Sequence, residues 1–461
     1  MFIKRIILLI FFMMIFLVIL SAETLIEQPL GAGTEANPFQ ISSLGNLRWL
    51  SETPDAWGTQ DEKVYYLQTA NIDASETILW NEGAGFSTIG TNYYNGFDSY
   101  TQYFYGNYDG NGFSIKGIYI NKPFVHIRQT SVGLFGAIRY SRIVGVVLED
   151  ADILGAWSTG TVVAWAADSY IGTSSASGIV RSDRAVYIGG FIASTSNTTI
   201  EYCYSTVNII TASEASPGGF VGALHNGSTV NNSYFNGSFL SDSGTIGGFA
   251  GQVMNNSQIQ NVYVNNNGLA EMSAGLSLAL ISSSSFLNSF WNPISTGSQE
   301  PFLNVSNNST ETDNFPLTIT EMMTMSTYTN NGWDFENIWD IKPEINGGLP
   351  YLRLSSLVNE YDKIKGTLSI SSYLIGNFPN PFNPETEIRY SIGNDENVSI
   401  TIYNIRGQKV KNILNRFMEK GEHSVIWNGT DENGKYVSSG VYFYQMRVED
   451  NIETQKMILL K

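Results

Sequence analysis

The sequence predicts an all-β chain: a right-handed parallel β-helix, a solenoid of ~28-residue coils, followed by a small β-sandwich. Three observations carry this. A glycine followed by a bulky apolar residue recurs every 27 to 30 residues through the middle of the chain, and an apolar residue with a partner four positions on recurs at a similar period. Beyond residue 372 the repeats give way to short alternating runs separated by Gly, Asn and Asp. Composition agrees: of 461 residues 44 are Gly and only 15% are charged, a balance that suits strands and tight turns better than surface helices. With 43% hydrophobic and 13% aromatic residues there is material for a large core and more than one domain.

Charge and cysteine content remove several function classes. A formal charge of −17 opposes nucleic-acid and anionic-membrane partners. Cys203 is the only cysteine, so an intrachain disulfide and a cysteine zinc cage are both excluded, and it is expected to be a small buried packing residue.

Residues 1–22 read as a secretory signal peptide. Lys4 and Arg5 precede the apolar run Ile6 to Leu20, and Ser21-Ala22 offers small residues for cleavage. The run is shorter than the ~20 residues of a spanning helix. Residues 23–105 are expected to form an N-terminal cap and the first coil or coils, with Ser42 or Ser43 capping a short helix that buries Leu44, Leu47 and Leu50. Tyr93, Tyr94, Phe97, Tyr100, Tyr103, Phe104, Tyr105 and Tyr108 crowd the end of this segment. They suit a hydrophobic cover for the solenoid's end, the favoured reading, and Tyr93, Tyr94, Tyr103 and Tyr105 are the candidates for stacking on sugar rings.

Residues 106–300 carry the repeats. The first row is Gly133-Leu134-Phe135-Gly136, Gly190-Phe191-Ile192-Ala193, Gly219-Phe220-Val221-Gly222 and Gly248-Phe249-Ala250-Gly251, with weaker copies at Gly160 and Gly275. The second pairs Ile115 with Tyr119, Ile200 with Tyr204, Val230 with Tyr234, Ile259 with Tyr263 and Phe286 with Phe290; Ile143 with Val147 fits more loosely and Ile171 lacks an aromatic partner. Residues i and i+4 share a face of a strand, so stacked coils should build inward ladders of Ile/Val and of Tyr/Phe. The glycines Gly133, Gly136, Gly190, Gly219, Gly222, Gly248 and Gly251 are then structural, placed where the chain bends or a neighbouring coil approaches. Residues 301–357 should cap the far end, with a polar loop over 295–314 and a helix beginning at Thr320-Glu321-Met322-Met323; 358–372 read as a linker.

Residues 373–461 form a separate module. Phe378-Pro379-Asn380-Pro381-Phe382-Asn383-Pro384 sets an extended lead-in, followed by alternating runs at 387–392, 398–403, 409–414, 423–427, 441–448 and 454–460. Six or seven short strands in so little chain indicate a β-sandwich.

Two resemblances follow. The glycine rows, with Gly33-Thr34-Glu35-Ala36-Asn37-Pro38-Phe39 at the start and Gly332-Trp333-Asp334-Phe335 and Leu349-Pro350-Tyr351-Leu352 at the end, resemble the Gly-Leu-x-Gly (GLUG) repeat proteins of bacterial surfaces, which are adhesin-like β-helices. The module from 373 resembles the type A C-terminal sorting domain of type IX secretion, an immunoglobulin-like fold related to that of the flagellar hook-capping protein. The matching residues are Pro379, Asn380, Pro381, Phe382, Asn383 and Pro384, then Gly407, Trp427, Gly440 and Tyr442 within their motifs, and the terminal Lys456-Met457-Ile458-Leu459-Leu460-Lys461. This resemblance implies export by the type IX translocon, removal of the tail by a sortase-like peptidase, and delivery to the outer-membrane surface or extracellular space of a Gram-negative bacterium.

No catalytic constellation, metal site or cofactor site is apparent. The three histidines are His126, His225 and His423. Glycosidic hydrolysis needs two carboxylates ~5 to 10 Å apart, and Asp150 with Asp152, beside Glu149, is the best pair available, though more in keeping with a solvated turn. The leading expectation is an adhesin-like or glycan-binding surface protein; a polysaccharide-active lyase or hydrolase and a passive surface-layer component are the alternatives.

Overall fold

The computed structural model describes residues 24–94, 99–123, 129–182, 186–211, 216–240, 245–266, 274–306, 308–353, 373–392, 395–419, 421–448 and 451–460. The expected signal peptide and the linker at 358–372 lie outside them. The chain divides into two compact units, Met1–Glu360 and Tyr361–Lys461.

The first unit is a parallel β-helix. Each strand pairs with the equivalent strand one coil on, so Ile143, Ile171, Ile200, Val230, Ile259 and Phe286 stand in one row, all fully buried. A second wall is a seven-stranded sheet running from Phe135–Arg139 to Phe302–Val305. The bulky residue of each glycine repeat points inward at the head of this wall. Phe191, Phe220 and Phe249 stack with ring centroids 4.9 Å apart at each step, nearly parallel, a spacing set by the strand separation itself. The glycines sit where a Cβ would strike the backbone of another coil: Gly133 against the Gly160 carbonyl, Gly190 against that of Gly219, Gly219 against that of Gly248.

Four details depart from the sequence-based expectations. Ile115 does not precede Ile143. It pairs with Leu148, and the row of Ile143 continues back through Tyr108 to Tyr66, because the early coils are longer than the later ones. Tyr119 accordingly pairs with Asp152. Secondly, the aromatic ladder faces outward. Tyr234 and Tyr263 belong to a cluster separate from the solenoid interior, whereas Val262 and Val264 on either side of Tyr263 lie within it. The residue between each pair, Tyr202, Asn232, Asn261 or Asn288, has φ between 45° and 58°, which turns the chain and reverses which face position i+4 presents. Thirdly, Gly160 is equivalent to Gly189 and Gly218, the residues before the repeat glycines, so Thr161 occupies the repeat position there. Finally, 295–314 is not a loop: Phe302–Val305 and Thr310–Thr312 add a further coil. Most of its side chains are exposed, which removes the apolar alternation by which strands are read.

Polar ladders accompany the apolar ones. Asn288 Nδ2 donates to Asn261 Oδ1 (2.7 Å) and Asn261 Nδ2 to Asn232 Oδ1 (3.3 Å), while Asn292, Asn265 and Asn236 form a second run. The N-terminal end is covered by the helix Leu44–Glu52, capped by Ser43 Oγ, which accepts from Asn46 N (3.1 Å), with Leu44, Leu47 and Leu50 buried beneath it. Beyond the last coil, residues 317–352 pack over the tyrosine ladder through Met322, Tyr328, Trp333, Trp339, Leu349 and Leu352. The helix in this segment begins one residue earlier than expected: it covers Ile319–Met322 and is opened by a Thr318–Glu321 capping box.

The second unit is a sandwich of a three-stranded sheet, Tyr373–Phe378, Thr386–Ile392 and Gly421–Trp427, and a four-stranded sheet, Lys409–Met418, Glu396–Asn404, Gly440–Val448 and Asn451–Leu459. All pairings within the two sheets are antiparallel, and Ile388, Ile400, Ile402, Trp427 and Met457 fill the space between them.

Candidate functional site: a lateral groove and the terminal motif

Stacking brings together residues one period apart. Arg142 pairs with Tyr170 across adjacent coils, and the Arg142 guanidinium lies 4.1 Å from the Tyr170 ring centroid. The Tyr170 hydroxyl donates to Glu201 Oε1 (2.8 Å), and burial together with that carboxylate pushes its pKa up. Tyr140, Asp168 and Asn197 occupy the same turn in successive coils, each with φ near 50°, which projects their side chains outward. Asp168 accepts from Asn197 Nδ2 (2.9 Å) and from Arg139 Nε (3.1 Å). Asn107 Oδ1 accepts from the backbone N–H of Arg142 (3.0 Å). Asn107, Tyr140, Arg142, Asp168, Tyr170 and Asn197 line an open groove of about 610 Å³.

Beside it lies a ring cluster. Tyr103 stacks on Trp165 with centroids 5.4 Å apart and meets Tyr105 edge-on at 5.8 Å. The Lys63 ammonium has no hydrogen-bond partner but sits 5.5 and 5.6 Å from the rings of Tyr105 and Tyr140; burial lowers its pKa. Of the aromatics singled out in the sequence, Phe104 and Tyr108 are fully buried, whereas Tyr103 and Tyr105 remain half-buried on the outside. Tyr93 and Tyr94 lie in the strand Thr91–Tyr94, which pairs with Ser99–Gln102; their side chains and Phe97 fall outside the described residues. Sequence reasoning missed Trp165, Arg139, Arg142 and Tyr170. The signal was present once the period is known, since Arg142 and Tyr170 are one coil apart.

Such a surface offers flat π faces beside a carboxylate, amides and guanidinium groups held in place by one another, a composition that binds ringed polyols by stacking and hydrogen bonding. The carboxylates weighed for hydrolysis are otherwise engaged. Asp152 pairs with Arg181 from the next coil, and Asp150 with Lys116 from the preceding one (3.3 Å). Asp150 has φ 52° at a register shift, and burial raises the Asp152 pKa against the pull of Arg181. His225 is half-buried against Tyr187 (5.6 Å, edge-on), and burial lowers its pKa; His126 lies outside the described residues. Among the described residues no cluster of three His, Cys, Asp or Glu could hold a metal.

In the sandwich the proline-rich motif is tied to the last strand. Phe382 N donates to Ile458 O (3.0 Å), Leu460 N to Phe382 O (2.9 Å) and Ile458 N to Asn380 Oδ1 (3.0 Å). The Phe382 ring lies 5.5 Å from Trp427, and Trp427 lies 5.2 Å from Tyr442, whose hydroxyl donates to Ser438 O (2.7 Å). Pro379 O accepts from Thr386 Oγ1 (2.9 Å), and Gly407, at φ 74°, closes the turn after Glu396–Asn404. Thus Asn380, Phe382, Trp427 and Tyr442 converge with the last strand although they span most of the module, while Gly407 serves its own turn.

Residues 377–460 match the family described as the secretion system C-terminal sorting domain. A tail of this kind marks the chain for type IX secretion, and so for the cell surface or the extracellular space. Halomucin of Haloquadratum walsbyi is 31% identical over 168 residues, which are 36% of this chain and only 2% of halomucin. Among solved structures, dimeric latent PorU of Porphyromonas gingivalis is 25% identical over 19% of this chain and 9% of its own (TM-score 0.18). PorZ of the same organism, an essential surface component of its type IX secretion system, is 17% identical over 25% and 14% (TM-score 0.15). An IgA1 protease is 16% identical over 60% of this chain and 20% of its own (TM-score 0.39).

Proposed function

We propose that the chain is an adhesin-like, glycan-binding protein: residues 1–22 direct it across the inner membrane, the sandwich presents it to the type IX translocon and a sortase-like peptidase, and the solenoid holds the ligand. The observation that carries the binding reading is the groove in which Asp168, Asn197 and Asn107 stand beside Tyr140 and the Arg142–Tyr170 stack. Four successive coils supply these residues, so the site is rigid before the ligand arrives and binding costs little ordering entropy. Separate cations engage Asp150 and Asp152, which supports binding without cleavage.

The test uses the full chain against a panel of neutral oligosaccharides and polysaccharides. Binding should be retained with polymer length unchanged, and Asp168→Asn or Trp165→Ala should weaken it about tenfold or more, the worth of one hydrogen bond to a charged group or one stacked ring. Absence of any glycan binding refutes the reading. Shortening of a polymer that is lost in Asp152→Asn would make the chain an enzyme instead.

A further inference from the structure

The two ends of the solenoid are finished differently. The buried row that runs from Ile143 to Phe286 begins at Phe39, which pairs with Tyr66 as Tyr66 pairs with Tyr108. The helix Leu44–Glu52 covers that end, and its Trp49 ring meets Phe39 edge-on at 5.3 Å. At the other end Phe302–Val305, Thr310–Thr312 and Phe315–Pro316 form the last coil, and among the described residues each pairs only with the coil before it.

This last coil is ready in part to receive another. Leu224, Val253 and Leu280 are fully buried, whereas Val305, the next rung of their row, is 43% exposed beside the exposed Leu303. Uncovered apolar side chains on a free strand edge invite a second chain to add itself. Two residues oppose that. Phe315 N and Leu317 N donate to Ser289 O (3.1 Å) and Trp291 O (2.8 Å) of the preceding coil, so an N–H between them would face the open edge, and Pro316 has none. Glu311 pairs with Phe286 and so takes the end position of a row whose other members, from Phe39 to Phe286, are all aliphatic or aromatic. Its carboxylate is exposed only because nothing lies over it.

The surroundings supply no counter-charge. From residue 185 to residue 341 the sequence contains no Lys or Arg, while Glu300 and Asp313 flank the coil that carries Glu311. The helix bars the far end of a second copy, so two copies could meet only with their open ends together, about a two-fold axis. That contact would set carboxylate against carboxylate and take Glu311 out of water without a cation from these coils to pair with it.

We propose that Glu311 keeps two copies of this chain from joining end to end through the open coil, so that each solenoid acts singly. A layer built by axial stacking of the chain is thereby closed to it. The inference does not rest on the glycan-binding reading.

The test is sedimentation of the full chain over a range of protein concentrations. Glu311→Leu should associate at about tenfold lower concentration than the parent, or less, because the unpaired buried charge is gone. Glu149→Leu, the same change at an exposed carboxylate of an early coil, should behave as the parent. Val305→Asp added to Glu311→Leu should restore the parent's behaviour by returning a charge to the end face. Thermal melts should stay near that of the parent, since both positions are exposed; should Glu311→Leu fail to fold, Glu311→Gln carries the test with a smaller shift in the same direction. Association of neither Glu311 variant beyond that of the parent overturns the proposal. So does equal association of Glu149→Leu, or association that Val305→Asp leaves unchanged.

Discussion

Replacing Phe220 by alanine tests the inner ladder directly. The ring is fully buried and stacked on Phe191 and Phe249, each 4.9 Å away and within 13° of parallel. Truncation loses the transfer free energy of the ring and opens a cavity between coils that strand pairing holds at a fixed spacing, so little relaxation is available. The cost is about 3–5 kcal/mol. Phe220→Leu separates the two contributions, because Leu134 and Leu276 fill the same row in other coils. Leucine retains most of the apolar burial and forfeits chiefly the two stacking contacts, about 0.5–1.5 kcal/mol each. Urea denaturation of the full chain, with the sandwich and solenoid transitions fitted separately, reads both values as midpoint shifts at constant slope. An alanine cost below about 1 kcal/mol, or a leucine cost equal to that of alanine, would refute the ladder as a source of stability.

Cys203 is fully buried and burial pushes its thiol pKa up, so thiol reagents should label it only after unfolding; labelling of the native chain would contradict its placement. Cys203→Ser should cost less than about 1 kcal/mol, since Ser174 and Ser233 stand in the same row and the new hydroxyl can donate to Glu201 O as the thiol does; a thermal melt checks this. Burial depresses the His225 pKa, so near the ordinary histidine value the unfolded chain binds more protons than the folded one. Stability should fall as pH drops through about 6.5 and below, and His225→Gln should flatten that slope; an unchanged slope would show that the histidine carries none of it.

The period was legible because identical rows repeat: one Phe per coil at 191, 220 and 249 leaves a mark that no single strand would. Faces and starting points were harder. Asn232 and Asn261 look like ordinary loop residues, yet their left-handed backbone turns the chain and sends Tyr234 and Tyr263 outward, a consequence that alternation rules cannot contain. The first coils were misjoined at Ile115 because their length differs, and the last coil was hidden because Leu303, Asn304 and Val305, beyond which no strand pairs among the described residues, stay exposed. Of the candidate site, the groove together with the ring cluster beside it, Tyr103 and Tyr105 were visible as composition. Trp165, Arg142 and Asp168 join it only through register, which is a property of the stacked coils rather than of any local stretch.

The strip formed by residues 317–352 also sets how the repeat array can change length. Its rings are keyed to particular rungs: Trp339 meets both Tyr234 and Tyr263, and Tyr328 and Trp333 meet Phe290. A duplicated coil inserted among those rungs would slide every later aromatic out of reach of its counterpart. The same insertion before Tyr204 would leave the keyed region intact. Growth and shrinkage of the array are thereby confined to its N-terminal half, where the groove at Asp168 lies, so that variation in coil number falls on the proposed binding surface and spares the closure.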